Sequence, residues 1–239
     1  MDSTLLLGLV LGMRHGVDPD HLTAIDGLCR LKPRATNGLY FALGHGLVVT
    51  LLAVGIGEVL AGQAEFLSPW LLIGIGIATL WRLRKPSSAS PPVGRPIIAQ
   101  PFFLGMILAA GFETASQLSA FALTAQTNPV LLGIAFSCGM VFVDGLDGYL
   151  AASTQSLAAR GGVNALKASR SLGFLVVILS FALGGAELLG FEWERFALPL
   201  GLGVFALVIG FRIWARSGAK LADGFPTIPR TDLPNQGTL

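Results

Sequence analysis

The string Arg14-His15-Gly16-Val17-Asp18-Pro19-Asp20-His21 places two imidazoles and two carboxylates within seven residues. Together these are the ligand set of a divalent transition metal. The mostly apolar run from Thr4 to Met13 leads into the string. At 1.5 Å per residue it carries the chain about 15 Å, roughly half of a bilayer core. The ionisable groups are therefore expected near a membrane midplane. Each costs on the order of 2.5–3.5 kcal/mol there, so a chain that keeps four of them is expected to use them. The competing reading is structural: Arg14 paired with Asp18, and the histidines merely hydrogen-bonded.

Other polar residues interrupt apolar stretches in the same way. His45, in Leu43-Gly44-His45-Gly46, is the only other histidine. It would complete a three-imidazole set, and its flanking glycines allow a neighbour to come close. Glu113 sits within Gly111-Phe112-Glu113-Thr114-Ala115-Ser116-Gln117, and a midplane glutamate needs a cation, a proton or a partner. Asp144 and Asp147 are three apart on one helix face. They could line a route, or pair with Arg14 or helix hydroxyls. Asp26 falls a turn or more beyond His21 and reads as a solvated or capping residue.

These residues must be held by membrane helices. The chain has 239 residues, is 53% hydrophobic and 13% charged, and has a mean hydropathy of +0.69. That composition excludes a soluble domain and indicates a polytopic all-α membrane protein. No basic n-region precedes the first apolar run and no small-residue cleavage site follows it, so a retained first helix is expected. Seven apolar segments are predicted, at about 4–28, 38–60, 67–83, 98–125, 130–155, 171–190 and 197–215. Basic residues follow the odd-numbered ones: Arg30, Lys32 and Arg34; Arg82, Arg84, Lys85 and Arg95; Arg160, Lys167 and Arg170; Arg212, Arg216 and Lys220. The other connections are acidic or neutral, with Glu58 and Glu65, then Gln126 to Pro129, then Glu187, Glu192 and Glu194. The positive-inside rule then gives an outside N-terminus and a cytoplasmic C-terminus. Residues 1–216 are expected to form one transport domain, with a flexible cytoplasmic loop at 86–96 and a disordered cytoplasmic tail at 217–239.

Local rules add detail. Pro19 donates no N–H and clashes with the carbonyl of His15, so the first helix should break there. Broken backbone at that depth is tolerated around a cavity or buried protein. Gly55/Gly57, Gly74/Gly76 and Gly201/Gly203 would permit close helix packing or self-association. Cys29 and Cys138 are not expected to form a disulfide.

The motifs resemble the nickel/cobalt permeases, the NicO group. That family's Arg-His-Ala-x-Asp-Ala-Asp-His pattern is met by Arg14 to His21, and its Leu-Gly-His motif by Leu43-Gly44-His45. Its Gly-Phe-Asp-Thr-Ala-Thr-Glu motif is similar to Gly111 to Gln117, and its Gly-Met…Asp-x-x-Asp-Gly motif to Gly139-Met140 through Asp144, Asp147 and Gly148. Pro19 stands for the usual Ala, Glu113 for Asp, and Gln117 for Glu. Larger members have eight helices, and the resemblance implies a seven-helix form without the first. It implies high-affinity Ni²⁺ or Co²⁺ uptake across a prokaryotic cytoplasmic membrane. His15, His21, Asp18, Asp20 and His45 would bind the metal. Glu113, Thr114, Gln117, Asp144, Asp147 and Arg14 would line the route or orient ligands. The metal is then a transported substrate, with no cofactor, no nucleic-acid partner and no evident ATPase partner, since no nucleotide-binding motif is present. Efflux of the same metals is the main rival, although three histidines, none in a loop, are few for an exporter. An intramembrane metallohydrolase would need a pattern such as His-Glu-x-x-His, which the sequence lacks.

Overall fold

Pro19 decides the shape of the N-terminal region. The first apolar segment forms two helices, α1 (Ser3–His15) and α2 (Pro19–Leu31). The end of α1 tightens, with Val17 N–H donating to Arg14 O at 3.1 Å and Asp18 N–H to His15 O at 2.9 Å. Asp18 is then extended, at φ −61° and ψ 144°, the conformation favoured before proline. Pro19 opens α2 at a position whose N–H has no helical partner in any case.

The computed structural model describes residues 3–55, 67–84, 100–111, 122–191 and 196–217. The remaining helices among them are α3 (Asn37–Ala53), α4 (Ser68–Arg84), α5 (Pro101–Gly111), α6 (Pro129–Ala159), α7 (Val163–Leu188) and α8 (Ala197–Ser217), with a 3₁₀ turn at Leu123–Ala125. The described residues contain no strand, so the all-α expectation holds. The loop at 86–96, residues 218–239, Glu58 and Glu65 lie outside them.

Helices α6, α7 and α8, of 31, 26 and 21 residues, are long and apolar enough to cross a membrane. Their outward side chains are apolar too, among them Phe142 and Leu146 on α6, Ile178 on α7 and Ile213 on α8. In water such a surface would be costly; in lipid it is the expected exterior. The chain is a polytopic membrane protein.

Boundaries differ where polar residues begin or end a helix. Asn128 caps α6, its side chain accepting from Val130 N–H at 2.9 Å. Helix α7 starts at Val163 rather than near 171. Its first turns bury Ala165 and Ala168 against Ala158 and Ala215, while Lys167 and Arg170 face outward. Apolar counting misses such an amphipathic start.

The least hydrophobic helix is the most enclosed. Every residue of α2 from Pro19 to Arg30 is buried. It lies against α6 and α7 and also touches α3, α4 and α8. Helices α1 and α3 pack on α6, α5 packs on α3, and α4 packs on α7.

Close approach depends on glycines other than those expected. A Cβ on Gly38 would collide with the Asp144 carbonyl, and one on Gly148 would come within 2.8 Å of Gly38 Cα. Of the predicted pairs, Gly76 meets Ser180 and Gly201 meets the Val17 carbonyl at the break. Gly55, Gly74 and Gly203 face open space, because packing follows the inward face of each helix and not glycine density. Gly57 lies outside the described residues.

Two basic residues counted as connections are interior. Arg30 and Arg212 are both buried, each within reach of a carboxylate. Arg82, at the end of α4, donates to the Arg30 carbonyl. Arg30 Nη1 in turn lies 3.4 Å from Ser169 Oγ at the start of α7. The basic ends of α2 and α4 thus meet the start of α7 at one end of the bundle.

Candidate metal centre

The break places its side chains rather than merely interrupting a helix. His15 ends α1 and His21 lies in the first turn of α2, so both rings face the middle helix turns of α3, where His45 sits. Their ring centroids are 4.5 Å apart for His15 and His21, 4.9 Å for His15 and His45, and 4.5 Å for His21 and His45. One ring nitrogen from each falls within 4.8 Å of the others, and all three residues are buried. Phe136 and Phe41 wall the group, 5.4 Å from His15 and 5.0 Å from His21.

Carboxylates set the outer bonds. His15 Nδ1 lies 3.0 Å from Asp18 Oδ2, and His21 Nδ1 lies 3.0 Å from Asp144 Oδ2. An ionised carboxylate only accepts, which assigns the proton to Nδ1 in both rings. Each Nε2 then presents its lone pair inward, as a metal-ligating histidine requires. His21 Nε2 has no hydrogen-bond partner among the described residues, and neither does either oxygen of the fully buried Asp20. Three converging imidazoles, with the buried carboxylate of Asp20 next to His21 in sequence, offer the kinds of donor that a first-row divalent ion takes.

The other predicted residues divide. Asp144 joins the cage through His21. Asp147, one turn further along α6, joins a second group. Arg212 Nη1 donates to both Asp147 Oδ1 and the Asp147 carbonyl, the latter at 3.0 Å. Arg212 Nη2 is 3.6 Å from Asp26 Oδ1, and Arg30 Nε is 2.6 Å from Asp26 Oδ2. Asp26 is therefore not a solvated cap but the centre of a buried ion-pair chain. Arg14 is half-buried and has no ion-pair partner among the described residues; Asp18 faces His15 instead. Glu113, Thr114 and Gln117 lie outside the described residues. Cys29 and Cys138 are free thiols, the first buried beside Asn37 and the second exposed.

Phe41, Phe136, Arg30 and Arg212 escaped the sequence reading as site residues. Two signals pointed to the arginines. Asp26 and Arg30 stand at helical i,i+4 spacing, and Arg212 lies inside the last apolar segment, where a charge needs a partner.

Fold and site together define an integral membrane protein with a buried cluster of three histidines whose ring nitrogens could hold a metal ion. A family model described as "High-affinity nickel-transport protein", NicO, matches residues 2–64, which contain all three histidines. The high-affinity nickel transport protein of Cupriavidus necator is 27% identical, over 87% of this chain and 74% of its own length. The nickel transporter NixA of Staphylococcus aureus is 25% identical, over 86% of this chain and 76% of its own. The cobalt transport protein NhlF of Rhodococcus rhodochrous is 44% identical over a shorter stretch, 20% of this chain and 15% of its own. No solved structure matches. The chain is thus similar to nickel and cobalt transport proteins, and its first quarter matches the NicO family model.

Proposed function

We propose that this protein takes Ni²⁺ up across the prokaryotic cytoplasmic membrane, with Co²⁺ as a second substrate, through the cage of His15, His21 and His45. The observation that carries this reading is the convergence of three buried ring nitrogens within 4.8 Å at a helix break. A permease needs a site that binds strongly enough to capture and weakly enough to release. Neutral imidazoles supply the affinity, while Asp18, Asp20 and Asp144 offset the charge of the ion. Asp20 is the one carboxylate of the string with no hydrogen bond to give up among the described residues, so it completes the ligand set. Asp147 continues the route inward, and Glu113, Thr114 and Gln117 serve its other parts. Arg14 contributes charge beside the cage rather than a ligand.

The chain lies with its N-terminus outside and the basic helix ends cytoplasmic, as their shared end of the bundle supports. Residues 1–216 act as one transport domain, without an ATPase partner. The test is uptake of labelled nickel, with cobalt as competitor, in cells lacking their own importers. Uptake by the wild type and its loss in an equally expressed His21→Ala variant would support the reading. A fall in cell nickel on expression under metal load would replace uptake with efflux.

A further inference from the structure

Asp144 and Asp147 stand one turn apart on α6, and Asp147 is the nearer to the basic end of the bundle. Each keeps one carboxylate oxygen, Asp144 Oδ1 and Asp147 Oδ2, without a hydrogen-bond partner among the described residues. Both are fully buried. Two such oxygens in a low-dielectric interior, next to a histidine cage, would bind a departing divalent cation tightly. Conduction fails when one station on a route binds too well.

Arg212 stands against that outcome. Its guanidinium grips both the side chain and the carbonyl of Asp147 and reaches Asp26 on α2. Arg30 holds the other Asp26 oxygen. Two carboxylates and two guanidiniums leave this group neutral, so the uncompensated negative charge is confined to the cage above it. Helix α8, which carries Arg212, also touches the break: Gly201, eleven residues earlier, faces the Val17 carbonyl and Pro19. That spacing is three turns, about 16 Å.

We propose that Arg212 is a positioning residue that occupies Asp147 in competition with the transported cation, so that the metal leaves the histidine cage without being trapped on the Asp144–Asp147 pair. The inference rests on the transport reading above. A purely structural role, tying α8 to α6, is its rival.

The test uses full-length wild type, Arg212→Lys, Arg212→Gln, Asp147→Asn and the double Arg212→Gln/Asp147→Asn variant. Ni²⁺ affinity is titrated on purified protein, and KM and maximal uptake are measured in cells normalised for expression. Removing a positive neighbour should tighten Ni²⁺ binding by Arg212→Gln at least about threefold, with KM and maximal uptake both lowered. Asp147→Asn leaves the guanidinium uncompensated and should weaken binding by a similar factor. Arg212→Lys should stay close to wild type, and the double variant should lose the extra affinity of Arg212→Gln. Unchanged affinity and KM in Arg212→Gln, whatever its maximal uptake, would overturn the proposal in favour of a structural tie. If Arg212→Gln does not accumulate, Asp147→Asn decides: unchanged affinity overturns the proposal. A wild type that binds Ni²⁺ without taking it up would overturn only the direction of transport, and the affinity series would still decide the role of Arg212. A wild type that binds none would overturn both.

Discussion

The Nε2 atoms of His15 and His45 lie 2.9 Å apart, closer than two nitrogens on one tetrahedral metal ion can be. Bonds of about 2.0–2.1 Å at a tetrahedral angle place ligand nitrogens roughly 3.4 Å apart. Asp18 assigns the His15 proton to Nδ1, so His45 must donate in this contact. For both rings to ligate, the His45 proton must move to Nδ1; a tetrahedral ion also needs the rings to part by about 0.5 Å, whereas the 90° angle of a square-planar or octahedral ion already sets cis nitrogens about 2.9 Å apart. The cage is thus close to a coordination geometry, and a proton shift with at most a small ring movement completes it.

His45→Ala should therefore do more than remove a packing residue. It takes away one of three nitrogen ligands, and the loss should weaken Ni²⁺ binding by about a hundredfold or more, beyond the range for losing an outer partner. Titration of the purified variant measures this. An affinity within threefold of wild type would remove His45 from the ligand set.

Asp144 acts on His21 from 123 residues away. Asp144→Ala should cost about 10–100-fold in affinity, the usual range for removing the partner that fixes a ligand's tautomer. Asp144→Asn should cost less, because the amide oxygen can still accept from Nδ1–H. Equal affinities for the two variants would mean that Asp144 acts through its charge alone.

Binding should weaken as pH falls. Ligation needs neutral imidazoles, and an isolated imidazole protonates near pH 6.5. Protons and metal then compete for the same nitrogens, so affinity is retained on the alkaline side and lost on the acid side. Titrations between pH 5.5 and 8 should show the dissociation constant rising steadily as pH is lowered. A flat profile would place the ion on the carboxylates rather than on the histidines.

The histidine–aspartate string and the helix break are legible because both are local. Ligand types stood at helical spacing, and the steric demand of proline acts on its own neighbours. The meeting of His21 with Asp144 was not legible, because it depends on how α2 and α6 dock. The ion-pair chain was hidden for another reason. Arg30 stands at the end of an apolar segment, where charges usually enter water, and positive-inside counting assigns such residues to connections. Its side chain turns back to Asp26. Arg212 lay within its segment, but its partners come from α6 and α2, which no spacing rule connects to α8. The early start of α7 was missed because small alanines carried its buried face.

Two substitutions to alanine should differ in their consequences, and the contrast follows from backbone geometry. Pro19 opens α2, where its missing N–H costs nothing, so Pro19→Ala should lose only the proline's pre-set backbone, about 0.4–1 kcal/mol. Asp18 can keep its extended conformation with alanine at 19, and nickel uptake should stay within about twofold. Gly38 is different. A Cβ there would collide with the Asp144 carbonyl, a backbone atom that cannot turn aside as a side chain can. Helix α3 would have to move off α6, carrying His45 away from His15 and disturbing the segment that presents Asp144 to His21. Gly38→Ala should therefore destabilise the fold by about 1–3 kcal/mol, the range for overpacking. In the protein that still folds, it should also lower Ni²⁺ affinity. Thermal unfolding in detergent and metal titration measure the two effects separately. Normal affinity in a destabilised Gly38→Ala protein would show that the cage tolerates the displacement of α3.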